Sequence, residues 1–376
     1  MTSELEHIVS KHTTTTNLEQ WDGNTPPNTR IWIKRECDHP HGSHYDRVYH
    51  ALFHEHEEHG DLKPGSGQKV LETTSGSAGA SFAGIGSERG YDCDVIMPPN
   101  VEEQREKAIE ERGGNVIYTH ELIDDLTEDQ ATQEYVNAFP AAIQQYIRDN
   151  IEAFSSGDAV FLNHSMGDKQ DGQPTPNETT LGALKTIWYE ASKQLDDATQ
   201  EQFDTFLPAI GNGSSVTGPC RAMKDGRNIR VVGYETVQSA AAYEKKHPGR
   251  FEERFGIKPG ELKRHNLPGT SYTNNKDDAR FDDIDFSHLD EAVRTHLDDI
   301  ILISGSTMDE EYEQKEGSTR GKTRSLPHWD DTPQTGDIGR STRAGIAAAL
   351  SDAKANRGGD YLVIAYDSAG RYDSNK

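Results

Sequence analysis

The chain has 376 residues, of which 32% are hydrophobic, and its formal net charge is -25. This length suits two medium domains or one large domain that is divided by a cleft. Nucleic-acid binding requires a basic face that replaces phosphate counterions, and no strong basic block is present, so we expect no nucleic-acid partner.

The N-terminal segment and the apolar runs do not predict a secreted or membrane protein. The stretch "MTSELEHIVSKHTTTT" lacks a basic segment followed by an apolar one. No apolar run approaches the length of a bilayer-spanning helix. Three scattered cysteines, Cys37, Cys93 and Cys220, favour free thiols over a disulfide framework. We therefore expect a cytoplasmic protein without a membrane partner.

From residue 29 onward, short apolar runs alternate with helix-like segments. Strands are predicted at 30–35, 68–73, 92–97, 114–119, 159–163, 204–210, 229–235, 299–304 and 361–366. Helices are predicted between them, for example at 102–112, 181–196 and 341–356. Continuous apolar strands that alternate with helices are typical of parallel sheets covered by helices, so we predict an α/β fold.

Two stretches interrupt this alternation. Residues 120–158 are acidic and are predicted to be mostly helical. Residues 305–340 are polar and rich in Gly, Thr and Asp, which predicts a lid, a binding loop or a disordered insertion.

The first of two glycine-rich turns is "ETTSGSAGASFAGIG", residues 72–86, directly after a predicted strand. Small side chains let the backbone approach a ligand, and the start of the following helix offers unpaired N–H groups that favour an anion. A carboxylate or a phosphate would fit there. Tight packing of the strand against the helix explains the small residues equally well.

The second glycine-rich turn, within "AIGNGSSVTGPCRAMK" (residues 209–224), has the pattern of a phosphate cradle. Backbone donors, the hydroxyls of Ser214 and Ser215 and a following helix all favour an anion. The turn matches neither the Walker A motif nor the G-x-G-x-x-G dinucleotide motif. Two such turns at strand ends predict a cleft between them.

In this order, the segments resemble the cysteine synthase branch of the fold-type II pyridoxal phosphate (PLP) enzymes. Four motifs carry the resemblance: "GSHYDR", "TSGSAG" (Thr74–Gly79), "GNGSSVTG" (Gly211–Gly218) and "YDSAGRY" near the C-terminus. The segments "NETTLGALKTIWYE" and "LPGTSY" (Leu267–Tyr272) add to it. The resemblance runs over most of the chain, roughly residues 30 to 374.

The resemblance implies a set of ligand-binding residues. The substrate loop would be Thr74, Ser75, Gly76, Ser77 and Ala78, and the phosphate loop would be Gly211, Asn212, Gly213, Ser214 and Ser215. Ser368 would contact the pyridine nitrogen, and Gly269 would belong to a later turn at the cleft.

The resemblance fails where the family makes its covalent bond. Tyr45 occupies the position of the lysine that forms the Schiff base with PLP. An amine forms an imine and then serves as a base, whereas a phenol forms no imine and has an ordinary pKa near 10. Ser77 and Ala78 also depart from the family's substrate loop. The departures concentrate on the bond-making side, and the phosphate side is better preserved.

Seven histidines crowd the stretch before and within the predicted helix: His39, His41, His44, His50, His54, His56 and His59. His50 and His54 share one helix face and have the spacing of a metal-chelating pair. A solvent-exposed polar helix is the alternative, and we predict no metal site. The resemblance places His39, His41 and His44 in the cleft beside Tyr45. The family usually has an aromatic residue at the position of His44, so packing alone would also explain this histidine.

The resemblance implies two open, twisted, mostly parallel sheets that face a central cleft. A small domain at residues 45–160 would be inserted into a large domain of residues 1–44 and 161–376, and family members are commonly homodimers. We weigh three functions. The first is a non-catalytic or non-standard relative that binds PLP without a covalent bond, or that binds another phosphate or amino-acid ligand. The second is an active PLP-dependent β-replacement or β-elimination enzyme of cysteine metabolism, and the third is a regulatory or scaffold subunit that binds a partner's tail.

Overall fold

The structure is a computed structural model that describes most of the chain. The described residues are 4–74, 76–165, 169–170, 173–223, 229–262, 267, 270, 287–305, 325–333, 336–356 and 358–372. Ser75 and Gly269, both predicted to line the cleft, therefore lie outside the described residues, as does most of the polar segment 305–340.

The elements alternate along the chain as predicted. The strands are β1 Leu18–Gln20, β2 Thr29–Lys34, β3 Lys69–Thr73, β4 Asp92–Met97, β5 Gly114–Tyr118, β6 Ala159–Phe161, β7 Lys169–Gln170, β8 Gln173–Pro174, β9 Thr205–Phe206, β10 Arg230–Thr236, β11 Asp299–Ile303 and β12 Gly359–Ile364. The helices are α1 Glu4–His12, α2 Tyr45–His59, α3 Ser77–Glu88, α4 Glu103–Glu110, α5 Thr119–Leu122, α6 Glu128–Glu134, α7 Phe139–Asp149, α8 Ile151–Ser156, α9 Glu178–Thr199, α10 Ser214–Ala222, α11 Ala241–Lys246, α12 Arg250–Phe255, α13 Ser287–Glu291 and α14 Arg340–Ala355.

Two mostly parallel sheets with flanking helices form the fold. The large sheet has the order β1-β2-β12-β9-β10-β11, and the small sheet has the order β5-β4-β3-β6. Every pair in these two sheets is parallel except β1 with β2, and β7 and β8 form a separate short hairpin. The predicted α/β class with two facing sheets is therefore confirmed.

Strand bounds differ from the prediction where sheet pairing stops early. The prediction placed a strand at 204–210, but β9 contains only Thr205–Phe206. Pro208 has no N–H to donate to the ladder, so regular pairing ends before it. The edge strand β1 was missed because its three residues, "LEQ", have no apolar run. Strand β4 has the predicted bounds.

Helix α2 places Tyr45 at its first position. The hydroxyl of Ser43 accepts the backbone N–H of Tyr45 at 3.0 Å, and Gly60 ends the helix with a φ of 81°. The helix packs against α1 and α9 on one side and against α3 on the other. Helix α2 contacts helices of both halves, so these contacts do not assign it to one domain. The domain boundary predicted at residue 45 therefore stays a prediction.

A buried cluster of charges joins the large sheet to α2 and α9. Arg47 bridges Glu36 (Nε to Oε2, 2.7 Å) and Glu190 (Nη2 to Oε2, 2.7 Å), and Lys34 adds a bond of 2.9 Å to Glu190. The side chains of Lys34, Glu36 and Arg47 are wholly buried. We call these four residues the buried ion cluster.

Two further observations concern the class of protein. Within the described residues, no helix combines the length and apolar composition needed to cross a bilayer. Cys37, Cys93 and Cys220 are buried and free, so none of them forms a disulfide bond.

Candidate ligand-binding cleft

A cleft between the two sheets contains most of the predicted site residues. It encloses about 870 Å³, including its open mouth. The predicted residues that line it are His44, Tyr45, Thr74, Ser77, Ala78, Gly211, Asn212 and Ser215. Residues some 170 positions apart therefore meet here, as the two glycine-rich turns predicted.

Tyr45 faces the cleft, and its hydroxyl makes no hydrogen bond within the described part of the chain. Burial, together with the nearby carboxylates of Glu72 and Asp367, raises the pKa of this phenol to about 12. The phenol is therefore neutral at physiological pH. It can donate or accept one hydrogen bond but is a poor base.

His44 connects Tyr45 to the phosphate loop. Its ring lies 4.1 Å from that of Tyr45, and its Nε2 lies 3.4 Å from the hydroxyl oxygen of Ser215. Burial lowers the pKa of His44 to about 4, so the imidazole is neutral at physiological pH. His44 can therefore orient a neighbouring hydroxyl, but it brings no positive charge to the cleft.

The predicted phosphate loop has the geometry of an anion site. Gly213 has a φ of 95°, and an added Cβ would lie 2.6 Å from the backbone of Leu289, so only glycine fits there. The Asn212 side chain accepts the N–H and the hydroxyl of Ser214 at 3.0 and 2.8 Å. The N–H groups of Gly211, Asn212, Gly213 and Ser215 bond to no described residue, so they remain available at the N-terminus of α10.

The predicted substrate loop forms the N-terminus of α3. The Thr74 hydroxyl accepts the N–H groups of Gly76 and Gly79 at 2.8 and 3.1 Å, which fixes the turn. Gly76 has a φ of 145°, and a Cβ there would meet the Arg105 side chain at 2.6 Å. The N–H groups of Ser77 and Ala78 bond to no described residue. This loop can therefore bind a second anionic group, such as a carboxylate.

Asp367 lines the cleft at the position where Ser368 was predicted. Its Oδ2 accepts the hydroxyl of Ser77 at 2.8 Å and Nη2 of Arg105 at 3.3 Å, and both carboxylate oxygens lie 3.1 Å from the Tyr372 hydroxyl. Ser368 does not line the cleft. Its side chain lines a separate pocket instead. Adjacent residues after a strand point in different directions, and the motif alone did not show which of the two faces inward.

His164 also lines the cleft, and the sequence analysis missed it. Its Nδ1 lies 3.1 Å from Oε2 of the buried Glu72 and 2.9 Å from the hydroxyl of Tyr49. Its Nε2 makes no hydrogen bond with the described residues and is not enclosed. A buried carboxylate that orients an imidazole is an arrangement suited to proton transfer. One signal in the sequence was available: His164 lies three residues after the apolar strand β6, near that strand's carboxyl end.

Two other predicted cleft histidines lie elsewhere, so that prediction is wrong for them. His39 is buried and bonds to Glu36 in the buried ion cluster, with Nε2 and Oε2 3.1 Å apart. His41 packs against Gly84 of α3 and approaches Glu88. In the described residues, no three His, Cys, Asp or Glu side chains converge in a way that would hold a metal ion.

The fold and the cleft define a class: an α/β protein with two facing sheets and glycine-rich helix N-termini at the cleft between them. The sequence profile of the family described as "Pyridoxal-phosphate dependent enzyme" matches residues 9–298, and the chain belongs to this family.

Curated relatives include several cysteine synthases. The chain is 25% identical to cysteine synthase B of Escherichia coli over 236 residues, which cover 60% of this chain and 67% of the relative. It is 27% identical to cysteine synthase A of Salmonella typhi over 246 residues, covering 62% and 67%. For the Aquifex aeolicus cysteine synthase the values are 26% over 238 residues, covering 61% and 63%.

Solved structures agree in fold over nearly the whole chain. O-ureido-L-serine synthase superposes with a TM-score of 0.64 at 19% identity, covering 100% of this chain and 94% of that one. The O-acetylserine dependent cystathionine beta-synthase of Helicobacter pylori gives a TM-score of 0.62 at 19% identity, covering 100% and 98%. At this identity the likeness establishes the fold alone.

The family implies PLP, and the cleft fits one end of this cofactor better than the other. The free N–H groups of Gly211, Asn212, Gly213 and Ser215 suit its phosphate. The covalent end does not fit, because Tyr45 cannot form an imine and no lysine is among the described residues that line the cleft. PLP supplies an electron sink when it is bound. The described residues of the cleft offer donors to its phosphate and no amine to its aldehyde.

Proposed function

We propose that this protein is a non-standard member of the PLP-dependent family that binds a phosphate-bearing ligand in the cleft without a covalent bond. PLP is the first candidate ligand. Another phosphate ester with an amino-acid-like carboxylate is the alternative, because the N-terminus of α3 can bind a second anionic group.

One observation carries this proposal: free phosphate donors occur in the same cleft as a neutral phenol at the lysine position. The N–H groups at the start of α10 bond to no described residue, so they can bind a phosphate. Tyr45, with its pKa raised to about 12 by burial, forms no imine and takes up no proton readily. A site with these two properties retains ligands through hydrogen bonds and not through a Schiff base.

Ligand comparison by calorimetry tests the proposal. PLP and pyridoxamine 5'-phosphate should bind with equal affinity, because the aldehyde makes no bond. Pyridoxal, which lacks the phosphate, should bind about tenfold more weakly or worse, since hydrogen bonds to a charged group are lost.

A matched pair of variants locates the binding. Ser215→Asp puts a carboxylate at the start of α10 and should abolish PLP binding by repulsion. Ser66→Asp makes the same change on an exposed turn and should leave binding intact. If borohydride reduction trapped PLP on a single lysine of the wild-type protein, the proposal would be wrong.

The Glu72–His164 pair favours a second candidate, an active lyase or transferase of the cysteine synthase type that uses His164 as its base. O-Acetyl-L-serine is a suitable probe, because one structural neighbour is an O-acetylserine dependent cystathionine beta-synthase. With PLP present, the protein would release acetate from O-acetyl-L-serine faster than PLP does without protein. The His164→Gln variant would lose this increase in rate. His59→Gln, on an exposed part of α2, should retain it. A rate equal to that of free PLP would exclude this candidate.

A further inference from the structure

A second pocket lies behind the cleft, where the two halves of the molecule meet again. Arg112 contributes from the turn after α4, on the small-sheet half, and Ser368, Gly370 and Arg371 contribute from the segment after β12 of the large sheet. Gly42, in the link before α2, closes it. We call this site, defined by Arg112, Ser368, Gly370 and Arg371, the arginine pocket.

Arg371 differs from the other buried arginines of the described structure. Four arginines are less than one-tenth exposed: Arg47, Arg105, Arg340 and Arg371. Each of the first three forms an ion pair with a carboxylate. Arg371 is 7% exposed, forms no ion pair with a described carboxylate, and donates to the carbonyl of His41 at 2.5 Å. A buried charge without a counter-ion lowers the stability of the folded protein, so an anion bound beside this guanidinium would be stabilising.

A second guanidinium increases that cost. Arg112 lines the same pocket, donates only to the carbonyl of Ala108 at 2.9 Å, and has no described carboxylate at ion-pair distance. Burial lowers the pKa of Arg371 to about 10, and the charge of Arg112 is the next largest cause. The chain holds 64 acidic residues against 39 basic ones, so acids to pair with these arginines are not scarce.

The two carboxylates whose charges act on Arg371, Asp367 and Asp46, are bonded to other groups. Asp367 bonds to Ser77 and Tyr372 in the cleft, and Asp46 accepts the Ser81 hydroxyl at 2.6 Å. Two neutral donors complete the pocket, because the Ser368 hydroxyl and the Gly370 N–H bond to no described residue. Glu111 also lines the pocket, but its side chain is exposed to solvent.

We propose that the arginine pocket binds a small oxyanion, such as a sulfate, a phosphate or a carboxylate group, which bridges the two halves of the molecule. Two guanidinium groups, a hydroxyl and a backbone N–H supply the planar and charge-assisted donors that oxyanions accept. The site is separate from the cleft and does not depend on which ligand the cleft holds.

Sulfate titration at constant ionic strength tests this proposal in a background that blocks the phosphate loop of the cleft, and the Arg112 variant then shows whether the remaining sulfate lies in the arginine pocket. Ser215→Asp blocks the phosphate loop, and we expect this variant to bind one sulfate. Adding Arg112→Gln should weaken sulfate binding about tenfold or more, as expected for the loss of a charge-assisted hydrogen bond. Adding Arg148→Gln instead, at an exposed arginine of α7, should change nothing.

The outcomes separate this proposal from that for the cleft. If Ser215→Asp binds no sulfate, or if Arg112→Gln leaves its affinity unchanged, the arginine pocket is not an oxyanion site. If wild type binds one sulfate more than Ser215→Asp does, the additional sulfate belongs to the cleft. Titrations with phosphate and acetate then show which oxyanion the pocket prefers. Slower hydrogen exchange in residues 104–112 upon sulfate binding would support the bridge, and unchanged exchange would exclude it.

Discussion

The ring of Tyr45 stands at 88° to the imidazole of His164, with the ring centroids 5.1 Å apart. His164 is held from its other side by Glu72 and Tyr49. Tyr45, which the resemblance aligns with the family's reactive lysine, is therefore packed edge-on against an oriented histidine. Because the Tyr45 hydroxyl bonds to no described residue, it is available to a ligand.

A lysine placed at position 45 should attach PLP covalently. We expect Tyr45→Lys to show the visible absorbance of a Schiff base when PLP is added, because the phosphate loop is intact. Borohydride reduction and peptide mapping should place the label at residue 45. Tyr189→Lys, at a tyrosine that is 40% exposed, is the matched control and should give no stoichiometric label. A colourless Tyr45→Lys would show that the cleft does not receive PLP.

Removing only the hydroxyl of Tyr45 tests whether the phenol has a polar role. We expect Tyr45→Phe to weaken PLP binding by about 1 kcal/mol, the contribution of one hydrogen bond. The unfolding temperature should not fall, since no hydrogen bond within the described protein is lost. Calorimetry of wild type, Tyr45→Phe and the control Tyr189→Phe measures this difference. Equal affinities of wild type and Tyr45→Phe would mean that Tyr45 only fills space.

Gly213→Ala should damage the phosphate loop more than an ordinary glycine substitution would. The residue has a φ of 95°, and an added Cβ would clash with the backbone of Leu289 at 2.6 Å. We expect a loss of about 3 kcal/mol or more in the free energy of unfolding, together with loss of phosphate binding. Gly249→Ala is the control, because its φ is 77° but nothing lies within 4 Å of the added Cβ. It should cost about 1 kcal/mol, and equal losses in both variants would contradict the steric argument.

Removing Arg47 should leave buried carboxylates without a partner. We expect Arg47→Leu to lower the free energy of unfolding by about 3–5 kcal/mol. Arg148→Leu, at an exposed site, should change it by no more than about 0.5 kcal/mol. Denaturant unfolding measures both variants.

The effect of Arg47→Leu should also depend on pH. Burial alone would raise the pKa of the Glu36 carboxyl, but Arg47 and His39 hold it well below its ordinary value of 4.5. A depressed carboxyl pKa stabilises the folded state above the unfolded pKa, and this stabilisation is lost as the pH falls through the folded pKa. The difference between wild type and Arg47→Leu should therefore shrink below pH 4.5. A difference that stays constant with pH would contradict this reasoning.

Glu235 should make the protein less stable as the pH rises from 4.5 to 7. The carboxyl is buried, and burial raises its pKa to about 7 against the opposing effect of the N–H groups of Tyr243 and Ala242. Between these pH values the folded state binds more protons than the unfolded state, so the free energy of unfolding should fall by up to about 3 kcal/mol.

The Glu235→Gln variant isolates this contribution. It should remove that part of the slope, whereas the exposed Glu253→Gln should keep it. Unfolding measured at several pH values compares the slopes. Identical slopes in wild type and Glu235→Gln would assign the pH dependence to other groups.

The sequence by itself determined features that depend on residues close together in the chain. Strand β4 was predicted with its observed bounds because its apolar run lies between Gly90 and Pro98, which interrupt regular structure. The Gly211–Ser215 loop was predicted as an anion site because its donors come from one turn and the helix that follows it. The prediction that Tyr45 stands at the family's lysine position likewise depends only on a position within a motif.

Only the tertiary structure decided which side chains share the cleft. His164, Arg105 and Asp367 come from both halves of the chain, and no local pattern relates them. Asp367 and Ser368 are neighbours in sequence, yet one faces the cleft and the other the arginine pocket. Beyond the end of β12 the backbone makes a short 3-10 turn at Ala369–Arg371, which packs against α4 of the small-sheet half. A direction of this kind depends on contacts that are distant in sequence, and spacing along the chain carries no information about them.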